Sequence, residues 1–278
     1  MLLFKGSNFL AELDLILKNK CEKVETDKKL AVLHLLPTPS SKKFIALKKK
    51  VASQYDIEVK VYNFTEKTPK RKVYDTLKSL NEDDTVGGIV VQYPFPEKYT
   101  FADISTRINP LKDVDFFTDK TYGGFSLNLF PDFMPPVVRS LDYFLNTYKL
   151  ELKGKRYIIL GQGHLVGKPV ATYLINREAT VYSLNEFSPK IESTLKKADV
   201  VISATGNPNI LKPHILKKGA SVIDFGYGFV DSKPVGDLDM SEDISHLNIV
   251  SPSPGGLGSL TLRFLLLNFL EFVERQEA

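Results

Sequence analysis

The chain has 278 residues, 43% of them hydrophobic and 25% charged, which is enough apolar material for one large or two ordinary globular domains. Lys and Arg number 37 against 33 Asp and Glu, and a net charge of +4 with dispersed basic residues excludes a nucleic-acid-binding stripe. The single cysteine, Cys21, rules out an internal disulfide and fits a reducing compartment.

From Met1 to Lys20, the charged residues Lys5, Glu12, Asp14 and Lys18 break up any signal-peptide core. Leu30–Leu36 is a nearly continuous apolar run, as expected of a strand buried on both faces, and Pro37 and Pro39 stop it. Ser41 is placed to cap a helix running to about Ser53, with Phe44, Leu47 and Val51 on one face. Lys48, Lys49 and Lys50 form the densest basic run, which by itself reads as a solvated helix face. Ile57–Tyr62 alternates as a strand, Pro69–Leu80 is a polar helix, and Val86–Val91 is the next apolar strand. This alternation predicts βαβ units and a parallel sheet.

Asp132–Tyr148 reads as a connecting helix, after which a second alternation begins. Arg156–Leu160, Thr180–Leu184, Val200–Ser203 and Ala220–Phe225 are strands; Leu165–Asn176 and Pro189–Lys197 are helices between them. Leu257–Arg275 is a long amphipathic helix, whose apolar run Phe264 to Phe272 is too short and too interrupted to span a bilayer. The boundary between the two alternating halves falls near residues 119–135, where Gly123, Gly124 and Pro131 cluster. The fold class expected is α/β, with two parallel-sheet domains, the second Rossmann-like.

Four constellations could carry chemistry. Gly161-Gln162-Gly163-His164-Leu165-Val166-Gly167 follows a buried strand and opens a helix, so its backbone can approach a pyrophosphate at the helix N-terminus. Its G-x-G-x-x-x-G spacing is one residue longer than the usual fingerprint, and a glycine turn without a ligand remains open. Leu184-Asn185-Glu186 ends the next strand, where an acidic residue bonds the ribose hydroxyls of NAD and repels the extra phosphate of NADP; an ordinary exposed Glu fits as well. Thr205 and Gly206 close the third strand of that unit. In the first half, Phe44 and Lys48 share a helix face, Gln92 ends a buried strand, and Lys112-Asp113-Val114-Asp115 follows a proline. A desolvated lysine has a lowered pKa suited to acid–base work near neutrality, while a surface lysine would have none. Ser251 to Thr261, with Pro254-Gly255-Gly256-Leu257-Gly258 at its centre, is a tight loop with exposed amides or a plain helix entry. His34, His164, His214 and His246 stand at no ligand spacing, and no metal site is expected.

Taken together and in order, these residues resemble the bifunctional methylenetetrahydrofolate dehydrogenase/methenyltetrahydrofolate cyclohydrolase family, over about Lys29 to Asn268. The family's Val-Gln-x-Pro-x-Pro is Val91–Pro96 here, its Lys-Asp-Val-Asp is Lys112–Asp115, and its Gly-x-x-x-x-Val-Gly-x-Pro is Gly161–Pro169. Its Gly-Asp-Val-Asp resembles Gly236–Asp239, and its Pro-Gly-Gly-Val-Gly resembles Pro254–Gly258.

The resemblance implies a folate-binding catalytic domain over 1–125 plus 257–278 and an NAD(P)-binding domain over 126–256. It implies oxidation of 5,10-methylenetetrahydrofolate with NADP, or with NAD, and hydrolysis of the methenyl product to 10-formyltetrahydrofolate. Lys48 matches the catalytic lysine, Gln92 the residue that tunes it, and Asp115 the carboxylate that holds the pterin. Phe44, Gly255, Gly256 and Leu257 would lie along the folate. Gly161, Gln162, Gly163, Val166, Gly167, Glu186, Thr205, Gly206 and Tyr227 would bind the nucleotide. A homodimer is what the resemblance implies, while composition, charge and the absence of a long apolar run make the cytoplasm the default and give no reason to expect a nucleic-acid or membrane partner.

Five departures stand out. Phe44 replaces the family's tyrosine, Phe116 replaces its glycine after Lys-Asp-Val-Asp, and Pro135–Ser140 replaces its Pro-Cys-Thr-Pro-x-Gly. These bear on cyclohydrolase rate and folate fit. Gln162-Gly163 replaces Arg-Ser, and Asn185-Glu186 replaces His-Ser, which points to relaxed or NAD-leaning specificity. Two further readings stay open on sequence. One is a divergent relative that binds folate or nucleotide but has lost one or both activities; the other is a Rossmann dehydrogenase acting on another small substrate.

Overall fold

The computed structural model describes residues 1–277. In chain order the elements are β1 (Leu2–Leu3), α1 (Leu10–Val24), β2 (Lys29–His34), α2 (Pro39–Ala52), β3 (Val59–Asn63), α3 (Lys70–Glu82), β4 (Val86–Gln92), α4 (Phe101–Ser105), α5 (Asp119–Ser126) and α6 (Pro136–Thr147). They continue with β5 (Arg156–Leu160), α7 (Gly167–Asn176), β6 (Thr180–Leu184), α8 (Ile191–Leu195), β7 (Val200–Ser203), β8 (Ser221–Asp224), β9 (Gly228–Val230), β10 (Lys233–Val235), β11 (Ile249–Ser251) and α9 (Gly258–Glu277). The class is α/β with parallel sheets, as the alternation predicts.

The chain divides into two compact units. One contains Glu12–Pro136 and the residues of α9 from 262 onward, and it holds a three-stranded sheet in the order β3-β2-β4. Both strand pairs are parallel, with Leu33 opposite Tyr62 on one side and Val91 on the other. β4 is buried along its whole length, which is why it reads as an unbroken apolar run rather than an alternating one. α3 buries Val73, Leu77 and Leu80, a single helical stripe packed with Ala31, Leu33, Ile89 and Val91 of the sheet.

The expectation for α2 needs two corrections. Thr38, not Ser41, is its N-cap; Ser41 is the third helical residue and its hydroxyl accepts from the Thr38 amide at 2.8 Å, completing a capping box. The inward face is also shifted. Leu47 is 43% exposed, and the buried positions are Ser41, Ile45, Val51 and Ala52. Ser41, Ile45, Lys48 and Ala52 thus form one stripe, and Lys48 lies on it.

The other unit contains Met1–Ala11 and Val137–Thr261, built on a six-stranded parallel sheet in the order β1-β11-β8-β7-β5-β6. Ile158, Val201, Val222 and Val250 stand side by side across four neighbouring strands and form a row of its core. β9 and β10 make a hairpin whose turn residues, Asp231 and Ser232, both adopt positive φ, the conformation that two-residue hairpin turns require.

Residues 1–11 fall in this unit, although the sequence places them with the first domain. Leu2 pairs with Ile249, and Phe4, fully buried, meets the Phe144 ring edge-on at 5.1 Å. A two-residue strand carries no periodicity, so only its distant pairing partner reveals it. Among the described residues, no helix is long and apolar enough to cross a membrane.

Candidate active site

In the unit built on the three-stranded sheet, Lys48, Gln92 and Asp115 come together. Gln92 is the last residue of β4, 9% exposed, at the carboxyl end of the parallel strands where ligand crevices form. Nζ of Lys48 donates to Oε1 of Gln92 at 2.8 Å, and the Gln92 amide nitrogen donates to the carbonyl of Tyr93 at 3.0 Å. That second bond fixes which end of the amide faces the lysine.

Burial lowers the Lys48 pKa, and the Asp115 carboxylate works against that shift. The same burial pushes Asp115 up to about 7, with Lys48 opposing and Asp113 adding to the rise. Tyr93, half-buried beside them, is pushed up to about 12 by burial and by the Asp115 charge. The lysine is therefore held by a neutral amide while a carboxyl that titrates near neutrality stands close, a pairing suited to moving protons.

The other members of Lys112–Asp115 have structural work. Lys112, 6% exposed, donates through Nζ to the carbonyls of Leu80, Asn81 and Asp83 at 2.9, 2.9 and 2.8 Å and closes the C-terminus of α3. Asp113 is fully buried; it accepts from the amides of Phe117 at 2.8 Å and Thr118 at 2.6 Å, and from the Thr121 hydroxyl. Asn268 of α9, 1% exposed, donates to the carbonyls of Val114 at 3.0 Å and Met134 at 3.2 Å. These contacts fix the backbone on either side of Asp115. Asn268 escapes sequence reading because it interrupts an apolar helix and so registers only as a break in the pattern.

Phe116 has φ of 58°, the left-handed backbone for which glycine is the unstrained choice. Its ring is 6% exposed and packs edge-on against Phe125 and Phe272, with Phe133 at 5.7 Å. Phe44 lies one turn before Lys48 on α2 and is half-buried. The start of α2 is fastened by His34, whose ring nitrogens lie 2.7 Å from the Ser41 hydroxyl and 3.1 Å from the Asn63 amide oxygen. Burial lowers the His34 pKa, with Lys42 and Lys48 adding to the drop. His34, Ser41 and Asn63 come from three different elements, so spacing along the chain does not show that they meet.

The second cluster lies in the other unit, at the carboxyl ends of β5 to β8. Gly161 has φ of 100°, and a Cβ there would lie 2.5 Å from the Ala204 carbonyl oxygen. A Cβ on Gly167 would fall 2.0 Å from the Gly161 carbonyl oxygen, so the two glycines let strand, turn and helix close on each other. A Cβ on Gly163 would meet nothing within 4 Å, which leaves the turn's outer face open to a ligand. Val166 precedes the first residue of α7; at that helix start the Lys168 amide donates to the Gly163 carbonyl at 3.0 Å and Pro169 has no amide hydrogen, so the Gly167 amide is the donor left for a ligand at the positive end of the helix. Thr205, half-buried, and Gly206, exposed with φ of 72°, close the turn after β7; Tyr227 follows β8 with Phe229 at 5.5 Å. This open cradle fits a dinucleotide.

At the end of β6 the Asn185 amide donates to Oε1 of Gln162 at 3.1 Å, and Gln162 donates to the Ser183 carbonyl at 3.0 Å. Glu186 is exposed beside this pair. Gly255, with φ of 100°, and Gly256 lie in the loop before α9, where Gly6 donates to the Gly255 carbonyl at 2.9 Å. The side chain of Leu257 is fully buried in that unit's packing, so it offers a ligand its backbone only. Among the described residues, no group of three or more His, Cys, Asp and Glu side chains could hold a metal.

Two family descriptions match the chain. The tetrahydrofolate dehydrogenase/cyclohydrolase catalytic domain matches residues 4–115, and the tetrahydrofolate dehydrogenase/cyclohydrolase NAD(P)-binding domain matches 135–277. The bifunctional protein FolD of Hydrogenobaculum sp. is 32% identical over 272 residues, which is 98% of each chain. That of Aquifex aeolicus is 32% identical over 249 residues, 90% of this chain and 86% of its own. The crystal structure of the bifunctional FolD methylenetetrahydrofolate dehydrogenase/cyclohydrolase of Campylobacter jejuni superposes with a TM-score of 0.91 at 30% identity, covering 99% of both chains. That of Trypanosoma brucei FolD, complexed with NADP and an inhibitor, has a TM-score of 0.92 at 25% identity over 99% of this chain and 98% of its own.

Proposed function

Because the chain belongs to the tetrahydrofolate dehydrogenase/cyclohydrolase family, we propose that Lys48, Gln92 and Asp115 serve a bifunctional enzyme that oxidises 5,10-methylenetetrahydrofolate with NADP and hydrolyses the product to 10-formyltetrahydrofolate. The observation that carries the residue assignment is the 2.8 Å contact from the Lys48 ammonium to a neutral amide, beside a carboxyl raised to about 7.

When bound, the nicotinamide supplies the hydride acceptor. Hydride loss leaves a methenyl cation that the two flanking folate nitrogens stabilise, so the chain's task in this step is orientation. Phe44 offers an aromatic face one helical turn from Lys48, against which a planar pterin can stack. Asp115, in its ionised form, accepts from the pterin's N–H donors. In the hydration step, water adds to the methenyl carbon and gives a proton to the free amine of Lys48. The resulting ammonium returns that proton to the ring nitrogen as the carbon–nitrogen bond opens. The remaining hydroxyl proton leaves to solvent as the formyl carbonyl forms. Gln92 keeps the amine in place through both transfers without adding charge.

For the nucleotide, Gly161, Gln162, Gly163, Val166, Gly167, Thr205, Gly206 and Tyr227 form the binding surface in this reading. The amide pair Gln162–Asn185 and the anionic Glu186 bring no positive charge to the end of β6, which supports acceptance of NAD alongside NADP. The enzyme is a cytoplasmic protein in this proposal, and a homodimer, the latter checked by sedimentation of the purified protein. The function is tested by following NADP reduction with and without 5,10-methylenetetrahydrofolate. Reduction that depends on the folate is expected, and a folate-independent rate would replace this reading with another dehydrogenase.

A further inference from the structure

Three loops at the carboxyl edge of the six-stranded sheet meet on one side chain. Asp237, fully buried, accepts through Oδ2 from the Ser203 hydroxyl at 2.6 Å and from the Thr205 amide at 2.7 Å. Its own backbone carbonyl accepts from the Leu211 amide at 2.9 Å, and the carbonyl of Gly236 accepts from the Asn209 amide at 3.1 Å. Both ends of the turn over 206–208, exposed at Gly206 and Asn207, are therefore anchored on Gly236 and Asp237: the near end through the side chain, the far end through the backbone. The third loop comes from β8. A Cβ on Gly226 would lie 2.0 Å from Oδ1 of Asp237, so this glycine lets the carboxylate reach under the loop that carries Tyr227.

Asp224 stands beside this anchor, 2% exposed, accepting from the Gly226 amide at 2.7 Å and the Leu238 amide at 2.9 Å. Burial and the neighbouring Asp237 charge push it up to about 7. Oδ1 of Asp237 is buried and has no hydrogen-bond partner. A buried acceptor left unmet is costly, and it is retained here where the turn must be held from below.

We propose that Asp237 is a positioning residue for the nucleotide, holding Thr205 and Gly206 in the orientation that the cofactor meets. This rests on the nucleotide-binding reading of that unit. The side chain itself touches no ligand in this account, since it is fully buried beneath the turn.

The test is calorimetric titration of the whole protein with NADP alone and with tetrahydrofolate alone, for wild type, Asp237→Ala, Asp237→Asn and Ser203→Ala. In Asp237→Ala the NADP Kd should rise at least about ten-fold, the loss of two hydrogen bonds to a charged acceptor, while the folate Kd stays within about two-fold. Asp237→Asn keeps an acceptor for Ser203 and Thr205 and should bind NADP within about three-fold of wild type. Ser203→Ala removes one donor and keeps the test alive if Asp237→Ala does not fold; its NADP Kd should rise about three-fold or more. Unchanged NADP affinity in the folded variants, equal loss in Asp237→Ala and Asp237→Asn, or parallel loss of NADP and folate affinity would each overturn the assignment. A wild-type protein that does not bind NADP would overturn the nucleotide reading itself, and this inference with it.

Discussion

Lys48 donates its hydrogen bond to Gln92 across 2.8 Å, and the acceptor is a neutral amide rather than a carboxylate. An ion pair would hold the proton on the lysine, whereas an amide orients the amine and leaves burial free to lower its pKa.

Replacing Lys48 by Met should therefore remove the proton carrier and leave nucleotide binding intact. Hydration of methenyltetrahydrofolate is expected to fall at least about 100-fold, the usual worth of a positioned acid–base group. NADP affinity, measured by calorimetry, should stay within about two-fold, because the nucleotide-binding residues lie in the other unit. Hydration at the wild-type rate would remove Lys48 from the mechanism.

Asp115 sets a pH dependence with a definite sign. Its carboxyl is raised from 3.8 to about 7, so between those values the native state binds a proton that the unfolded chain has lost. The contribution of this group to stability is thus present below about pH 4 and is lost as pH rises toward 7. Asp115→Asn should show a smaller decline in Tm than wild type over that window, and its folate affinity should lose the increase with pH that ionisation of Asp115 brings. Parallel Tm curves for the two proteins would contradict the raised pKa.

Phe116 places a large ring on left-handed backbone. Phe116→Gly relieves about 1 kcal/mol of backbone strain but empties a buried aromatic site worth about 3–5 kcal/mol. Net destabilisation of about 2–4 kcal/mol is expected in urea unfolding. A gain in stability would mean that the ring contributes little to the cluster with Phe125, Phe133 and Phe272.

Lys112 sits in the same short motif as Asp115 but caps a helix. Lys112→Met should cost at least about 2 kcal/mol, because three carbonyls lose a charged donor. The kcat of the protein that remains folded should change less than about two-fold, in contrast to Lys48→Met. A selective loss of kcat with unchanged Tm would assign Lys112 to the chemistry instead.

Glu186 at the end of β6 governs the nucleotide's 2′ position in this account. Glu186→Arg should shift the ratio of NADP to NAD affinity about ten-fold or more toward NADP. An unchanged ratio would place the discrimination elsewhere.

Much of this arrangement is legible in the residue pattern. Runs such as Val86–Val91 and Val200–Ser203 mark buried parallel strands, and the glycines from 161 to 167 mark the turn that follows one of them. What resists reading is whatever depends on pairing across the chain. The two-residue strand β1 exists only because Ile249 and Val250 lie beside it. The inward stripe of α2 contains a serine and a lysine, Ser41 and Lys48, because polar partners wait for them at His34 and Gln92. Hydrophobic spacing alone therefore selects Leu47, which is exposed. Asp113 and Asp115 are alike in sequence; only the three donors that converge on Asp113 separate a loop anchor from a site residue.

The central claim, one chain performing both reactions, is tested most directly by a time course of wild-type enzyme with 5,10-methylenetetrahydrofolate and NADP. The course is read as reduced nucleotide, and an acid quench then converts formyl product back to methenyl. The account predicts that 10-formyltetrahydrofolate forms in step with reduced nucleotide and that free methenyltetrahydrofolate stays low. Reduced nucleotide with methenyltetrahydrofolate hydrolysing only at its spontaneous rate would contradict it, because Lys48 and Gln92 would then support no hydration.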